Sequence, residues 1–249
     1  METIIYLIIY LLIGFLAGFM SGMFGIGGGS VRTPLLYVAG LPLLGAFGIN
    51  LLVIPFSSII GAISHRQNIN WRFAPYIVIG GASGSVIGAF LAGLIPTLVL
   101  AIIFVIVSFM TVSGIYLDRI APTLAQKINP NAKNIVGGTF FLNLLTGMRG
   151  GSGGTLFPPF LRTMRLDMRQ AIATSLFATI FTAIAAVIIY WYRGDLIWLP
   201  ALAVVMGSMA GARTGSLISL KTKHVWLETG LSIFVIILAL IVMLKTLLI

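Results

Sequence analysis

Two glycine-rich stretches that interrupt hydrophobic sequence carry the residues most able to do chemistry. The first covers residues 21–34 and contains Arg32, and the second covers residues 146–159 and contains Arg149. An arginine inside a bilayer is energetically costly, so it normally faces a polar cavity and marks a functional path. Glycine lets a ligand come within hydrogen-bonding range of the backbone. The two stretches therefore predict a site for an anion.

The same spacing occurs in both stretches. After a shift of 125 residues, Gly22, Gly25, Gly28, Gly29 and Pro34 fall on Gly147, Gly150, Gly153, Gly154 and Pro159. The match continues along the chain, since Asn50 falls on Ser175. With two further residues of offset, Gly80, Gly84 and Gly88 fall on Gly207, Gly211 and Gly215. Such duplication predicts two structural repeats.

Within each stretch, one short helix should end and another begin. Ser30 and Thr155 would then lie near helix N-termini, where free backbone N–H groups and the positive end of the helix dipole favour an anion. The candidate substrate-binding residues are Gly25, Gly27, Gly28, Gly29, Ser30, Arg32, Thr33, Asn50, Arg149, Gly150, Gly151, Ser152, Gly153, Gly154, Thr155, Ser175 and Arg213.

Plainer interpretations of these residues stay open. Glycine breaks in membrane helices are often sites of close packing, which is also the expected role of the Gly80 and Gly207 series. Asn50 and Ser175 either line the site or hydrogen-bond between helices, and Arg32 and Arg149 could be structural instead. Arg213 lies about two turns from the end of its helix and could extend its side chain to the interface.

The composition excludes a soluble globule. Apolar residues make up 59% of the chain and charged residues 8%, with a mean hydropathy of +1.12. Several apolar runs reach the roughly 20 residues that a helix needs to cross a bilayer, and none alternates like a barrel strand. We therefore expect an all-α integral membrane protein, with the first apolar run kept in the mature chain.

The sequence offers no sign of a metal site, a cofactor or an enzyme. Cysteine is absent, and the two histidines, His65 and His224, are far apart in the sequence. Neither glycine stretch is followed by the Gly-Lys-Ser/Thr of a nucleotide-binding loop. No nucleophile–base pair occurs within the apolar runs.

The order of apolar runs defines the expected organisation. The first repeat covers residues 1–117, a polar linker covers 118–133, and the second repeat covers 134–249. In each repeat, a glycine-containing element precedes three spans. The expected spans are 43–64, 73–94 and 97–117, followed by 168–190, 197–220 and 225–247.

The basic residues predict the topology. If each glycine element is a re-entrant helical hairpin, ten arginines and lysines face one side of the membrane and only Arg193 and Lys245 face the other. By the positive-inside rule the first side is the cytoplasm, which holds the 118–133 linker and leaves both termini outside. Each repeat then crosses three times, so the repeats are inverted. Most of the net charge of +10 is accounted for in this way, and it indicates contact with membrane lipids rather than nucleic acid.

The run from Gly25 to Leu36, its weaker copy ending in Pro159, and the stretch from Gln170 to Leu176 resemble the TauE/SafE family of sulfite exporters and related anion permeases. The likeness covers essentially the whole chain. It implies passage of sulfite, organosulfonates or similar small anions through a bacterial or archaeal cell (inner) membrane. Arg32, Arg149 and Ser152 depart from the usual pattern of that family, and the arginines add positive charge where the ligand would lie.

Together these features predict a transporter that moves a small anion by rocking or gating one repeat against the other. An anion-selective channel and a non-transport membrane scaffold are the alternatives. The anion, the direction of transport, the coupling ion and homo-oligomerisation are left open by the sequence.

Overall fold

The computed structural model of the chain describes residues 2–24, 28–116, 129–219 and 224–248, and these ranges form helices connected by short turns. The α-helices are α1 (Glu2–Phe24), α2 (Gly29–Val38), α3 (Leu43–Ser64), α4 (Ala74–Ala92), α5 (Thr97–Ile115), α6 (Ala132–Met148), α7 (Phe157–Thr163), α8 (Met168–Tyr192), α9 (Trp198–Ser219) and α10 (His224–Leu248). A short 3₁₀ helix at Arg66–Asn68 follows α3. The predicted all-α fold is confirmed.

Five helices in the described ranges are long and apolar enough to cross a membrane: α1, α3, α4, α5 and α8. Large apolar side chains such as Ile63, Ile79 and Leu94 are exposed on the outside of the bundle. Water would disfavour so much apolar surface, whereas lipid does not. The chain is therefore an integral, multi-pass membrane protein, as its composition predicts.

Local sequence sets several helix ends. Asn131 caps α6 by accepting a hydrogen bond from the Asn134 amide, and Asp167 caps α8 in the same way through Gln170. Proline in the first turn of α7 fits because that position needs no N–H donor. Helix α6 continues to Met148, so it includes Thr146 and Gly147 of the second glycine stretch. The second glycine loop is correspondingly shorter than its glycine pattern suggests.

The two glycine stretches connect the arms of hairpins. Helix α2 folds back on α1, so that Ala17 packs with Val31 and Tyr10 packs with Leu36. Helix α7 folds back on α6, where Gly138 lies against the Phe160 ring. In each case the second helix runs back along the first, and re-entry of the hairpins into the membrane stays a prediction. The first arm, α1, is 23 residues long, so it is longer than a half-helix.

Glycines hold each hairpin against a helix of the other half. A methyl group on Gly84 of α4 would overlap the carbonyl oxygen of Phe140 in α6, and one on Gly211 of α9 would overlap that of Phe15 in α1. The backbones of these two helix pairs are therefore in direct contact. The packing role predicted for the Gly80 and Gly207 series is confirmed.

Helices α3 and α8, which match each other after the 125-residue shift, pack side by side in opposite directions. A methyl group on Gly48, near the start of α3, would be 3.5 Å from Tyr190, near the end of α8. Gly61, near the end of α3, lies against Leu176, near the start of α8. Equivalent helices of inverted repeats run in opposite directions, and α3 and α8 do so; the inverted repeats stay a prediction.

Candidate functional site

The two glycine loops meet beside the middle of α3. The Asn50 side chain donates a hydrogen bond of 2.7 Å to the Gly150 carbonyl of the second loop. A methyl group on Gly29, at the start of α2, would be 2.5 Å from the same Asn50 amide nitrogen. Gly150 has a φ of +68° and no room for a side chain, because Phe47 is directly against it. Glycine is therefore required at this point of the second loop.

A cavity of about 270 Å³ begins at these loops. One water needs roughly 10–15 Å³ of such space, so a small anion and several waters fit. The cavity extends along α3 to Ser64 and His65, which are exposed at the end of that helix. We call this end the mouth. The other polar or glycine residues that line the cavity are Ser21, Gly29, Ser30, Asn50, Ser57, Ser58, Gly61, Arg149, Gly151, Ser152, Gly154, Thr155 and Thr179.

Arg149, which lies in the second glycine stretch, is a buried arginine of the cavity wall. Its side chain is only 4% exposed, and its guanidinium group lies 5.5 Å from the centre of the Phe104 ring. The terminal nitrogens donate to the hydroxyls of Ser30, Ser108 and Thr155, each at 3.4 Å.

These contacts of Arg149 are weak. Hydrogen bonds from N–H to oxygen are usually 2.7–3.2 Å long, and the Arg149 Nε has no partner at all. The acidic side chains that the structure describes lie elsewhere, because Asp167 caps α8 and Asp195 pairs with Arg193. Among the described residues, Arg149 therefore has neither a counter-ion nor a short hydrogen bond. An anion in the cavity would supply both.

Arg32 is held quite differently. It is 1% exposed and does not line the cavity. Its terminal nitrogens donate to the Asn50 Oδ1 at 2.5 Å and to the Ser208 hydroxyl at 3.1 Å. The Ser208 hydroxyl in turn donates to the Gly14 carbonyl at 3.0 Å. Arg32 thus connects α2 to α3 and α9.

Two further hydroxyls of the cavity wall have no hydrogen-bond partner. They belong to Ser152 in the second loop and Thr179 in α8, and both oxygens are buried. A buried hydroxyl without a partner is unfavourable, so a ligand or water is expected to bind there. Together with Arg149, these two hydroxyls place hydrogen-bond donors in the wall of the same cavity.

The end opposite the mouth is closed by aromatic residues, and we call it the sealed end. The Phe47 and Phe104 rings stack there with centres 6.2 Å apart. Tyr190 is fully buried and donates its hydroxyl to the Gly147 carbonyl at 3.2 Å. Arg193 covers the Tyr190 ring and donates to the Ala89 carbonyl at 2.6 Å. Together these side chains close this end of the cavity in the part of the chain that the structure describes.

The structure gathers about half of the sequence-predicted site. The predicted residues that line the cavity are Gly29, Ser30, Asn50, Arg149, Gly151, Ser152, Gly154 and Thr155. Those that are described but do not line it are Gly28, Arg32, Thr33, Gly150, Gly153, Ser175 and Arg213. Gly25 and Gly27 lie outside the described residues.

Three of the predicted site residues are not placed as the sequence predicts. Arg213 is on the exposed surface of α9, and Ser175 is buried away from the cavity. Thr155 lies before α7 rather than in it, and α7 has only seven residues. The second loop therefore contributes side-chain hydroxyls and Arg149, instead of the helix N-terminus that the sequence predicts.

Sequence reasoning missed the wall formed by α3 and α5. Ser57, Ser58 and Ser64 follow Asn50 along one face of α3, and this polar spacing inside an apolar helix could have revealed them. Phe104 gave no signal, because it is one apolar residue among many in α5. Its position under Arg149 depends on packing between distant parts of the chain.

The chain matches a known protein family along most of its length. The sequence model of the family described as "Sulfite exporter TauE/SafE" matches residues 10–242. Among curated relatives, the probable membrane transporter protein YunE of Bacillus subtilis (strain 168) is 26% identical over 238 residues, covering 81% of this chain and 84% of that protein. A probable membrane transporter protein of Haemophilus influenzae is 27% identical over 252 residues, covering 90% and 92%. No solved structure matches the chain.

Proposed function

This chain belongs to the TauE/SafE family of sulfite exporters, and we propose that it is a secondary transporter of a small oxyanion, either sulfite or a short organosulfonate. Membrane transport follows from the family and from the helical, lipid-exposed fold. The anion and the mechanism are our proposal. Because the curated relatives are described as membrane transporters, we propose no enzymatic activity.

The observation that carries the proposal is the state of Arg149. A buried guanidinium without a counter-ion is costly in a membrane, and such residues mark substrate paths. The group has a partner-free Nε and three long contacts to hydroxyls, and it faces a cavity large enough for an anion. A planar guanidinium matches the oxygens of a sulfite or sulfonate group, and the hydroxyls of Ser152 and Thr179 can add further donors.

Alternating access is the mechanism that the cavity favours. Helix α3 begins near Phe47 at the sealed end, passes Asn50 beside the loops, and ends at His65 in the mouth. Within the described ranges, the cavity therefore reaches one side of the protein only. A continuous pore would need an opening at both ends, so this arrangement favours a carrier over a channel.

The basic residues assign the mouth to the cytoplasm under this proposal. Arg66 and Arg72 follow α3 on the mouth side, and Arg169 is in the first turn of α8 on the same side. Arg193 lies at the sealed end. By the positive-inside rule, the structure would then be the inward-facing state of a protein with its termini outside.

Anion binding to the purified protein tests the proposal. Monodisperse protein in detergent is titrated calorimetrically with sulfite, sulfate, thiosulfate and methanesulfonate, with chloride at equal ionic strength as the control. We expect saturable binding of at least one oxyanion and none of chloride. Absence of binding for all four oxyanions, with the protein folded, would contradict the proposed function and favour a scaffold.

A further inference from the structure

We propose that Arg32 does not contact the transported anion, but positions the second glycine loop through Asn50 so that Arg149 faces the cavity. Arg32 and Arg149 look alike in the sequence, since each is a lone arginine in a glycine stretch. The structure gives them different surroundings. The inference rests on the proposed function, because it concerns the geometry of a site that binds an anion at Arg149.

Both terminal nitrogens of Arg32 are already used by the protein, whereas its Nε, like that of Arg149, has no partner. One terminal nitrogen is 2.5 Å from the Asn50 Oδ1 and the other is 3.1 Å from the Ser208 hydroxyl. The side chain is 1% exposed and lies outside the cavity wall. An anion would have to displace these bonds to reach Arg32, whereas the three contacts of Arg149 are long and its side chain lines the cavity.

Arg32 determines the orientation of the Asn50 amide. An amide has an acceptor oxygen on one side and a donor nitrogen on the other, and an arginine can only donate. The oxygen of Asn50 must therefore face Arg32, which turns its nitrogen toward the second loop. That nitrogen donates to the Gly150 carbonyl at 2.7 Å. With no donor at position 32, the bond to the Gly150 carbonyl alone would hold the amide in this orientation.

The bond from Asn50 reaches the residue next to Arg149. Gly150 has a φ of +68°, which glycine adopts without strain, so contacts fix the position of its peptide. Its carbonyl is fixed by Asn50, and its Cα side is closed by Phe47. A shift of this peptide would turn the following loop and move the base of the Arg149 side chain. The contact chain thus runs from Arg32 through Asn50 to the anion-binding arginine.

The second half of the chain supports a packing role for position 32. After the 125-residue shift, Arg32 matches Phe157 and Gly28 matches Gly153. A methyl group on Gly28 would be 3.0 Å from the Arg32 guanidinium, and one on Gly153 would overlap the Phe157 ring. Both side chains therefore fill the same place beneath their glycine loop. Phe157 is fully buried and cannot bind an anion by charge, so this place does not require a ligand-binding group.

A double-mutant cycle tests the inference. Arg32→Met and Asn50→Leu remove the two ends of the bond while keeping volume, and Arg32→Lys with Asn50→Ser forms a milder pair. Anion affinity is measured on monodisperse protein for methanesulfonate, a monoanion, and thiosulfate, a dianion. We expect each single change to weaken binding at least tenfold, and the double variant to be within about twofold of the weaker-binding single variant, because the two residues act in series.

Two results of the cycle would overturn the inference. Losses that multiply in the double variant mean that Arg32 acts independently of Asn50. A loss for Arg32→Met that is much larger for the dianion than for the monoanion means that its charge acts on the ligand directly. The same criteria apply to the milder pair where Arg32→Met does not yield folded protein.

A second measurement does not depend on anion binding. Because the chain has no cysteine, Ser152→Cys places a single thiol on the second loop, and its reaction rate with a small methanethiosulfonate reagent reports the loop position. We expect Arg32→Met and Asn50→Leu to change this rate by a similar factor, at least threefold. An unchanged rate in both contradicts the inference. If the parent protein binds no oxyanion, the proposed function fails, and the thiol rate alone decides the role of Arg32.

Discussion

Replacing Arg149 by lysine is the most informative single change at the site. Lysine keeps the charge but has no planar fork, so it can make only one of the two bonds that a guanidinium offers an oxyanion. A hydrogen bond to a charged group contributes about 1.5–3 kcal/mol. Since 1.4 kcal/mol is a factor of ten in Kd, we expect anion binding to weaken roughly 10- to 150-fold.

The fold should tolerate the same change. The three hydrogen bonds that Arg149 makes are 3.4 Å long, so their loss removes little stability. The Ser30 and Thr155 hydroxyls line the cavity, where water can replace the guanidinium, and Ser108 keeps its bond to the Phe104 carbonyl. We expect the unfolding free energy to change by less than about 1 kcal/mol, equivalent to a thermal midpoint shift of about 2–4 °C.

The assay compares two matched variants by calorimetric titration with the oxyanion that the parent binds. Arg149→Lys changes the cavity, and Arg72→Lys makes the same chemical change at an exposed position. The Arg72 variant should bind like the parent. Should both variants bind within twofold of the parent, with similar thermal midpoints, Arg149 is not the anion-binding residue and the reasoning from its surroundings is wrong.

Three further predictions follow from the topology, the glycines and the sealed end. In intact cells, an impermeant thiol reagent should label a cysteine at the C-terminal end but not one at Asn131, and the reverse pattern would contradict the orientation. Gly154→Ala places a methyl group in the cavity with no contact shorter than 3.5 Å, so affinity should fall while thermal stability is kept. Gly84→Ala, where the methyl group would overlap a backbone carbonyl, should instead lower the thermal midpoint and leave the affinity of the folded protein unchanged. Asp195→Asn removes a partly exposed ion pair worth about 0–1 kcal/mol, so the reaction of a cavity cysteine with an external reagent should rise up to about fivefold. An unchanged rate would place the seal elsewhere.

The sequence predicted the helices well, because each helix is an apolar run bounded by glycine, proline or polar residues. The runs at 43–64 and 168–190 became α3 and α8 with almost the same bounds. The Gly80 and Gly207 series predicted close helix contacts, since only glycine allows backbones to approach so far. Partners of those glycines were beyond prediction, because they lie in the other half of the chain.

The site was only partly predictable, because its chemistry depends on contacts between residues far apart in the sequence. Arg32 and Arg149 look equivalent in their glycine stretches. They differ in the structure because Asn50 and Ser208, which is 176 residues from Arg32, accept hydrogen bonds from both terminal nitrogens of Arg32, whereas Arg149 packs on Phe104 and lines the cavity. No spacing rule within either stretch carries that difference.

Countertransport in proteoliposomes tests the central claim most directly. Vesicles with reconstituted protein are loaded with unlabelled oxyanion and diluted into a trace of labelled oxyanion, with the membrane potential clamped to zero. A carrier that alternates access around one binding site should accumulate label transiently above its external concentration, and Arg149→Lys should slow this accumulation at subsaturating anion. Label that only equilibrates would identify a channel, and label that does not enter at all would contradict anion transport by this protein.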